Sequence, residues 1–332
     1  MGSDESMWTR SDEAWGDPAE AIRVHQWLRG GASVRQPPRA PAVETAVYTR
    51  PSVAALTDTQ KRRYIRAFTK LNTSGWLAPY IEIHNRFMMS MHGTMPGMPA
   101  ARRRAAILQF LPWHRLYVLN FERQMRSADQ AEALRLNEVV SDDFAVPYWP
   151  WRTYRAFPGL LDATMRRWLF DFHPDIVDST GATVRTVRRD EPTILATPGP
   201  STLPTASEVT NAMIAAGNLI HFVDPNLAVP GGGFSEALEW LHNNVHIWIG
   251  GTMAAVPIAP SDPVFWMHHA EIDRIWRTWT VMPFVGDAAL RAPAMGGADF
   301  VLPGLTGPAG GAARSNDVLD VTSLGYDYDT LA

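Results

Sequence analysis

The chain of 332 residues contains no cysteine. That absence removes disulfides, thiolate metal sites and thiol nucleophiles together, so any metal site must be built from His, Asp, Glu or Met. Charge of one sign is not in excess either. Thirty basic residues against 34 acidic ones leave a formal charge of −4, and nothing in that balance suggests a nucleic-acid partner. The one basic run, Arg102-Arg103-Arg104, reads as a solvated face rather than a phosphate patch. No apolar run approaches a membrane span, and no segment repeats at a period of roughly 20–50 residues, which sets solenoids and propellers aside. The N-terminal MGSDESMWTRSDEAWGDP is acidic and lacks the apolar centre of a secretory signal. A signal trimmed from the chain would leave the same N-terminus, so the location stays open, with the cytoplasm slightly favoured.

What is present is enough apolar material for a large core, at 46% hydrophobic and 10% aromatic residues. Residues 1–47 read as an extension. A short helix from Pro18 to Leu28 ends at Gly30-Gly31, and QPPRAPA (36–42) follows as a stiff linker. From residue 48 to 332 the pattern is that of one mainly α domain with irregular loops and few short strands. Thr57 is a candidate N-cap for a helix through QKRRYIRAFTKL, interrupted at Gly75. A second helix is expected after Pro79, with Leu77, Ile81, His84, Met88 and Met91 at helical spacing. Residues 92–109 read as a loop, leading into a helix over 110–126 with Pro112 in its first turn. VPYWPWRTYRAFP (146–158) reads as a packed irregular segment. Residues 160–235 form an excursion with a strand-like VRTVR and a helix from about Ser207. The Gly/Pro-rich stretch 286–314 leads to a strand-like DVTSLGYDY.

The histidines carry the chemistry. His242 and His246 stand four apart in EALEWLHNNVHIWIGG, and His268-His269 follow in DPVFWMHHAEID. Imidazoles at i and i+4 lie on one helix face, so both can reach one ion. His84, His92 and His114 form a corresponding group in the first half. His84 and His114 each fall in line with core residues, where a polar ring is costly unless it has a partner. Satisfied core histidines are the bland reading of any one of these, and clustering argues against it. His25, His173 and His221 have no histidine neighbours and read as surface or packing residues. Imidazole suits zinc, copper, iron and nickel. A nitrogen-only set argues against magnesium, calcium and manganese, and spacing does not separate zinc from copper.

FLPWHRLYVLNFE, LHNNVHIWIGG and DPVFWMHHAEIDRIW resemble the two copper signatures of tyrosinases and other type-3 copper proteins. RPSVAALTDTQ, VPYWPW, LPTASEV and Tyr326-Asp327-Tyr328 extend the likeness from about residue 48 to the end. The resemblance implies a four-helix bundle around two copper ions, with dioxygen and small phenolic substrates as partners. It also implies oxidation of phenols, catechols or ortho-aminophenols to ortho-quinones. His84, His92 and His114 would hold the first copper, and His242, His246 and His269 the second. Periodicity does not choose between His268 and His269. His269 shares its stripe with Asp273 and Trp276, and polar surroundings suit a ligand set. A Glu–Asn pair, here Glu239 and Asn243, would hold a water that helps deprotonate an incoming phenol, with Glu236 a weaker candidate. The bland reading of Glu239 is a solvated helix residue.

Three departures from the family pattern stand out. The position nine residues before His114, where a ligand is usual, is Ala105, so His92 has to stand in. That requires the preceding helix to end near Met91. Pro150 replaces a common Asp, from which a local packing change is expected. The cysteine that cross-links a ligand histidine in many plant and fungal relatives is absent, as is common in bacterial ones. Methionines 88, 89, 91, 95 and 98 around His92 read as gap-filling core, or as thioethers that help load Cu(I). No lid domain follows Tyr328, so an open site is expected. A copper-delivery protein is a further partner considered. The readings set beside the oxidase are an O2 carrier of the hemocyanin kind and a type-3 scaffold with an incomplete first site.

Overall fold

A computed structural model describes residues 47–91, 99–159, 166–195, 203–214, 222, 233–282, 299–309 and 311–332. The expected extension therefore lies, except for Val47, outside the described residues. The helices are α1 (Asp58–Thr73), α2 (Leu77–Met91), α3 (Ala100–Arg135), α4 (Glu191–Leu195), α5 (Ala206–Ile214), α6 (Phe234–Ile249), α7 (Gly251–Ala254) and α8 (Pro263–Val281). The strands are β1 (Tyr48–Arg50), β2 (Asp175–Val177), β3 (Thr183–Thr186), β4 (Val301–Thr306), β5 (Ala312–Arg314) and β6 (Tyr326–Tyr328). They pair only two by two, β1 with β6 in parallel and β2–β3 and β4–β5 antiparallel. The protein is mainly α, and α2, α3, α6 and α8 form the helical bundle at its centre.

Local chemistry explains where several helices begin. Thr57 accepts the Gln60 amide at 3.3 Å, and the Gln60 side chain takes the Thr57 amide at 2.9 Å. This reciprocal cap on α1 contributes about 1 kcal/mol. α2 starts at Leu77, two residues before the proline after which it was expected. Pro79 is tolerated because a first-turn N–H would have no helical partner anyway. Asp262 caps α8 by accepting the Val264 amide at 2.9 Å, with Pro263 at the first helical position.

α3 corrects the sequence reading. It was expected over 110–126 behind a loop, with Pro112 near its start. The helix instead runs from Ala100 to Arg135, and Pro112 lies in its interior. A proline there removes the bond to the carbonyl of residue 108 and costs about 3 kcal/mol in isolation. Tertiary burial overrides it, since every residue from Phe110 to Leu119 is buried. A helix starting at Ala100 also changes the meaning of position 105. Nine residues at about 100° each place it on the face opposite His114, and Ala105 is exposed.

The rest of the chain fastens the bundle. The segment 146–158 is irregular and packed as expected, with Trp149 and Trp151 fully buried. The Trp149 amide donates to the Met267 carbonyl of α8 at 3.0 Å, and Pro150 opens a turn by accepting the amides of Thr153 and Tyr154. Gly251 has φ +51, and a Cβ there would lie 2.4 Å from the Arg188 carbonyl oxygen. The end of α6 is thereby pressed against the excursion. Arg189 then grips Asp262 through two 2.8 Å contacts, with both side chains fully buried. The terminal strand is shorter than the expected 320–328, because only Tyr326–Tyr328 finds a partner strand in β1.

Candidate metal centre

α6 and α8 bring four buried histidines together: His242, His246, His268 and His269. His242 and His246 sit one turn apart on the inner face of α6. Their outer ring nitrogens are already committed. His246 Nδ1 donates to the Met253 carbonyl at 2.7 Å, and His242 Nδ1 donates to the Asn243 side-chain oxygen at 3.0 Å. A neutral ring donating from Nδ1 carries a bare lone pair on Nε2. Those two Nε2 atoms face each other at 2.9 Å, and His269 Nε2 lies 3.1 and 3.4 Å from them. Lone pairs at such distances repel unless a cation lies among them. The triangle has a circumscribed radius of about 1.8 Å, close to the ~2.0 Å at which imidazole nitrogen binds a first-row metal. The donor set therefore fits a metal ion.

Burial, then the neighbouring imidazoles of His114, His242, His268 and His246, keeps His269 well below the ordinary histidine range. The ring stays in the neutral form that a metal requires. Its expected polar support takes a different form. Asp273, one turn further along α8, does not meet the His269 ring. It accepts from Arg115 at 2.5 Å, Arg50 at 3.1 Å, and the Tyr326 and Tyr328 hydroxyls at 2.6 Å each. His269 Nδ1 makes no hydrogen bond among the described residues.

The first group is assembled from α2 and α3. His84 and His114 are both buried, with ring centroids 5.7 Å apart. His114 Nδ1 donates to the Phe110 carbonyl at 2.8 Å, which leaves Nε2 as the nitrogen available to a metal. The His114 ring stacks on His269 at 4.4 Å, so the two groups adjoin across the bundle. His92 lies outside the described residues, as do His25 and His221. His173 stands apart, with Nε2 at 3.1 Å from the Phe170 carbonyl and 3.5 Å from Glu191.

Glu239 is fully buried, which excludes the reading of it as a solvated helix residue. It lies one turn before the half-buried Asn243 on the same helix face. Glu236 is buried too, but Arg103 of α3 claims its carboxylate.

A family model described as the common central domain of tyrosinase matches residues 80–198 and 178–282. The tyrosinase of Streptomyces galbus is 35% identical over 249 residues, covering 69% of this chain and 82% of that protein. The Streptomyces antibioticus tyrosinase is 34% identical with the same coverage. This chain belongs to the tyrosinase family. It is of the bacterial type, its cofactor is the copper pair of that family, and the buried histidines suit that metal. Tyrosinase-type oxidoreductase activity, with phenolic substrates and O2, follows at that level. The fold is shared with Aspergillus oryzae pro-tyrosinase (TM-score 0.57, 18% identity, covering 90% of this chain and 72% of that one). It is shared as well with a functional unit of octopus hemocyanin (TM-score 0.56, 21% identity, 86% and 68%).

The sequence reading missed the arginines. Arg50 and Arg115, fully or almost fully buried, tie β1 and α3 to Asp273 of α8. The only signal was an arginine in RPSVAALTDTQ and another next to His114, and neither reveals a partner 158 to 223 residues away.

Proposed function

We propose that this tyrosinase-family protein hydroxylates monophenols and oxidises the resulting catechols to ortho-quinones. In this reading His84, His92 and His114 hold one copper and His242, His246 and His269 the other. Residues 48–332 are the catalytic domain, 1–47 are an extension, and a copper-delivery protein is the macromolecular partner. The bound copper pair supplies O2 reduction and Lewis acidity. The chain's own residues supply the rest.

The observation that carries the hydroxylation reading is the burial of Glu239 beside Asn243. A phenol ionises near pH 10. Delivering it as phenolate at neutral pH therefore costs about 4 kcal/mol, at 1.36 kcal/mol per unit. A carboxylate held out of bulk water one helical turn from the metal-facing histidines is placed to accept that proton, directly or through one water. Asn243 also holds His242 in the tautomer that presents Nε2, linking proton handling to metal binding. His92 is supported as the remaining first-site ligand because Ala105 faces solvent on the wrong side of α3.

The test is an aerobic assay of the copper-loaded protein with a monophenol, a catechol and an ortho-aminophenol, alongside Glu239→Gln. The wild type should turn over all three. The variant should lose about 10²–10⁴-fold on the monophenol and much less on the catechol. Oxidation of catechol alone by the wild type would reduce Glu239 and Asn243 to a structural pair. Reversible O2 uptake without turnover would identify a carrier.

A further inference from the structure

We infer that Trp151 decides which of the two adjacent histidines of α8 can serve the second metal, by fixing the tautomer of His268. The inference rests on the copper-site reading above and adds to it a positioning residue outside the histidine cluster.

The argument starts from donor chemistry. An indole N–H can only donate. Trp151 Nε1 lies 3.1 Å from His268 Nδ1, with both side chains fully buried. His268 Nδ1 must therefore be the acceptor, and the single proton of the neutral ring sits on Nε2. His268 Nε2 itself makes no hydrogen bond among the described residues. His268 thus has its lone pair engaged by Trp151 and its other nitrogen capped by hydrogen. It lies among the metal-facing nitrogens but has no electron pair to offer them.

His269, next in sequence, makes no such bond through Nδ1, and its Nε2 points at His242 and His246. Helix periodicity treats the two residues almost alike. The asymmetry comes from the segment 146–158, pinned to α8 by the Trp149–Met267 backbone bond. That bond fixes where the neighbouring indole N–H points. His268 in turn stacks on His242, with ring centroids 4.9 Å apart and planes at 12°. The excluded ring becomes a wall that orients a metal-facing one. Trp151 is therefore a positioning residue that acts on the metal site through His268.

The experiment is long-range 1H–15N correlation on the full-length chain labelled with [15N]histidine and [15N]tryptophan. It is run without metal and again with diamagnetic Cu(I). The expected result is His268 as the pure Nε2–H tautomer in both samples. A scalar coupling should run from Trp151 Nε1 to His268 Nδ1, and the His268 shifts should stay nearly constant while those of His242, His246 and His269 move on loading. In Trp151→Phe the coupling is lost and Nδ1–H appears. Trp151→Phe that leaves His268 wholly Nε2–H would overturn the inference. So would an Nδ1–H His268 in the wild type, or loss of its Nε2 proton on loading. A sample in which no histidine shifts on loading would instead refute the copper-site reading, while the metal-free spectrum still decides the tautomer.

Discussion

Replacing Asp273 by Asn tests whether the arginine network holds the copper helices together. Its carboxylate takes Arg115 on Oδ1, and Arg50, Tyr326 and Tyr328 on Oδ2. An asparagine keeps one acceptor and turns an NH2 group toward donors in either orientation. The less damaging choice sets that NH2 against Arg115 alone, and it still removes a carboxylate from two buried guanidiniums. Breaking a buried pair from one side costs about 3–5 kcal/mol. With an unfolding entropy of about 2.1 cal/mol/K per residue, or roughly 0.7 kcal/mol/K for this chain, Tm should fall by about 4–7 °C. Urea titration and thermal circular dichroism measure the change.

The pH dependence adds a second reading of the same site. Burial alone would raise the Asp273 carboxyl, but Arg115, Arg50 and the two tyrosine hydroxyls outweigh it and hold the group below its ordinary range. A depressed carboxyl stabilises the fold fully above its unfolded pKa of about 3.9. That stability is lost as pH falls from there through the folded value. Wild-type stability should therefore drop below about pH 4, and Asp273→Asn should flatten part of that slope. A variant within about 1 kcal/mol of wild type, with an unchanged acid limb, would refute the clamp.

His92→Ala should bind about one copper fewer per chain by metal analysis, whereas Ala105→His should leave the stoichiometry unchanged. The exposed Ala105→His change should cost only about half a kcal/mol of helix propensity. Gain of copper affinity by Ala105→His would mean that α3 does not continue past that position. Gly251→Ala should destabilise by about 1–3 kcal/mol, because the positive φ and the Arg188 carbonyl both oppose a Cβ. Arg189→Met should lower stability by about 3–5 kcal/mol in urea, since it leaves Asp262 buried and unpaired at the start of α8. Rescue by the double variant Arg189→Met/Asp262→Asn would attribute the loss to the stranded charge.

Several of the helices were legible in the chain. The Thr57 cap, the stripe through Leu77 and Ile81 to His84, and the α5 start near Ser207 depend on residues within a turn or two of one another. α3 was misjudged for the opposite reason. Pro112 is a local breaker, and only the burial of its neighbours explains why the helix passes through it. Glu239 shows the same divide, because exposure is not a property of sequence spacing.

Sequence alone determined that a cysteine-free chain places histidines four apart on one helix and in a pair on another. That spacing pointed to a nitrogen-ligated transition metal, since ligand chemistry and i,i+4 geometry are local, and the likeness of FLPWHRLYVLNFE, LHNNVHIWIGG and DPVFWMHHAEIDRIW to the tyrosinase signatures then indicated the family and copper. Tertiary structure alone decided which nitrogens carry protons. Trp151 reaches His268 across 117 residues, and the Met253 carbonyl meets His246 Nδ1 from beyond the end of α6. It also decided that Arg50, Arg115 and the terminal tyrosines converge on Asp273. Hydrogen-bond partners brought together by folding have no periodicity to announce them.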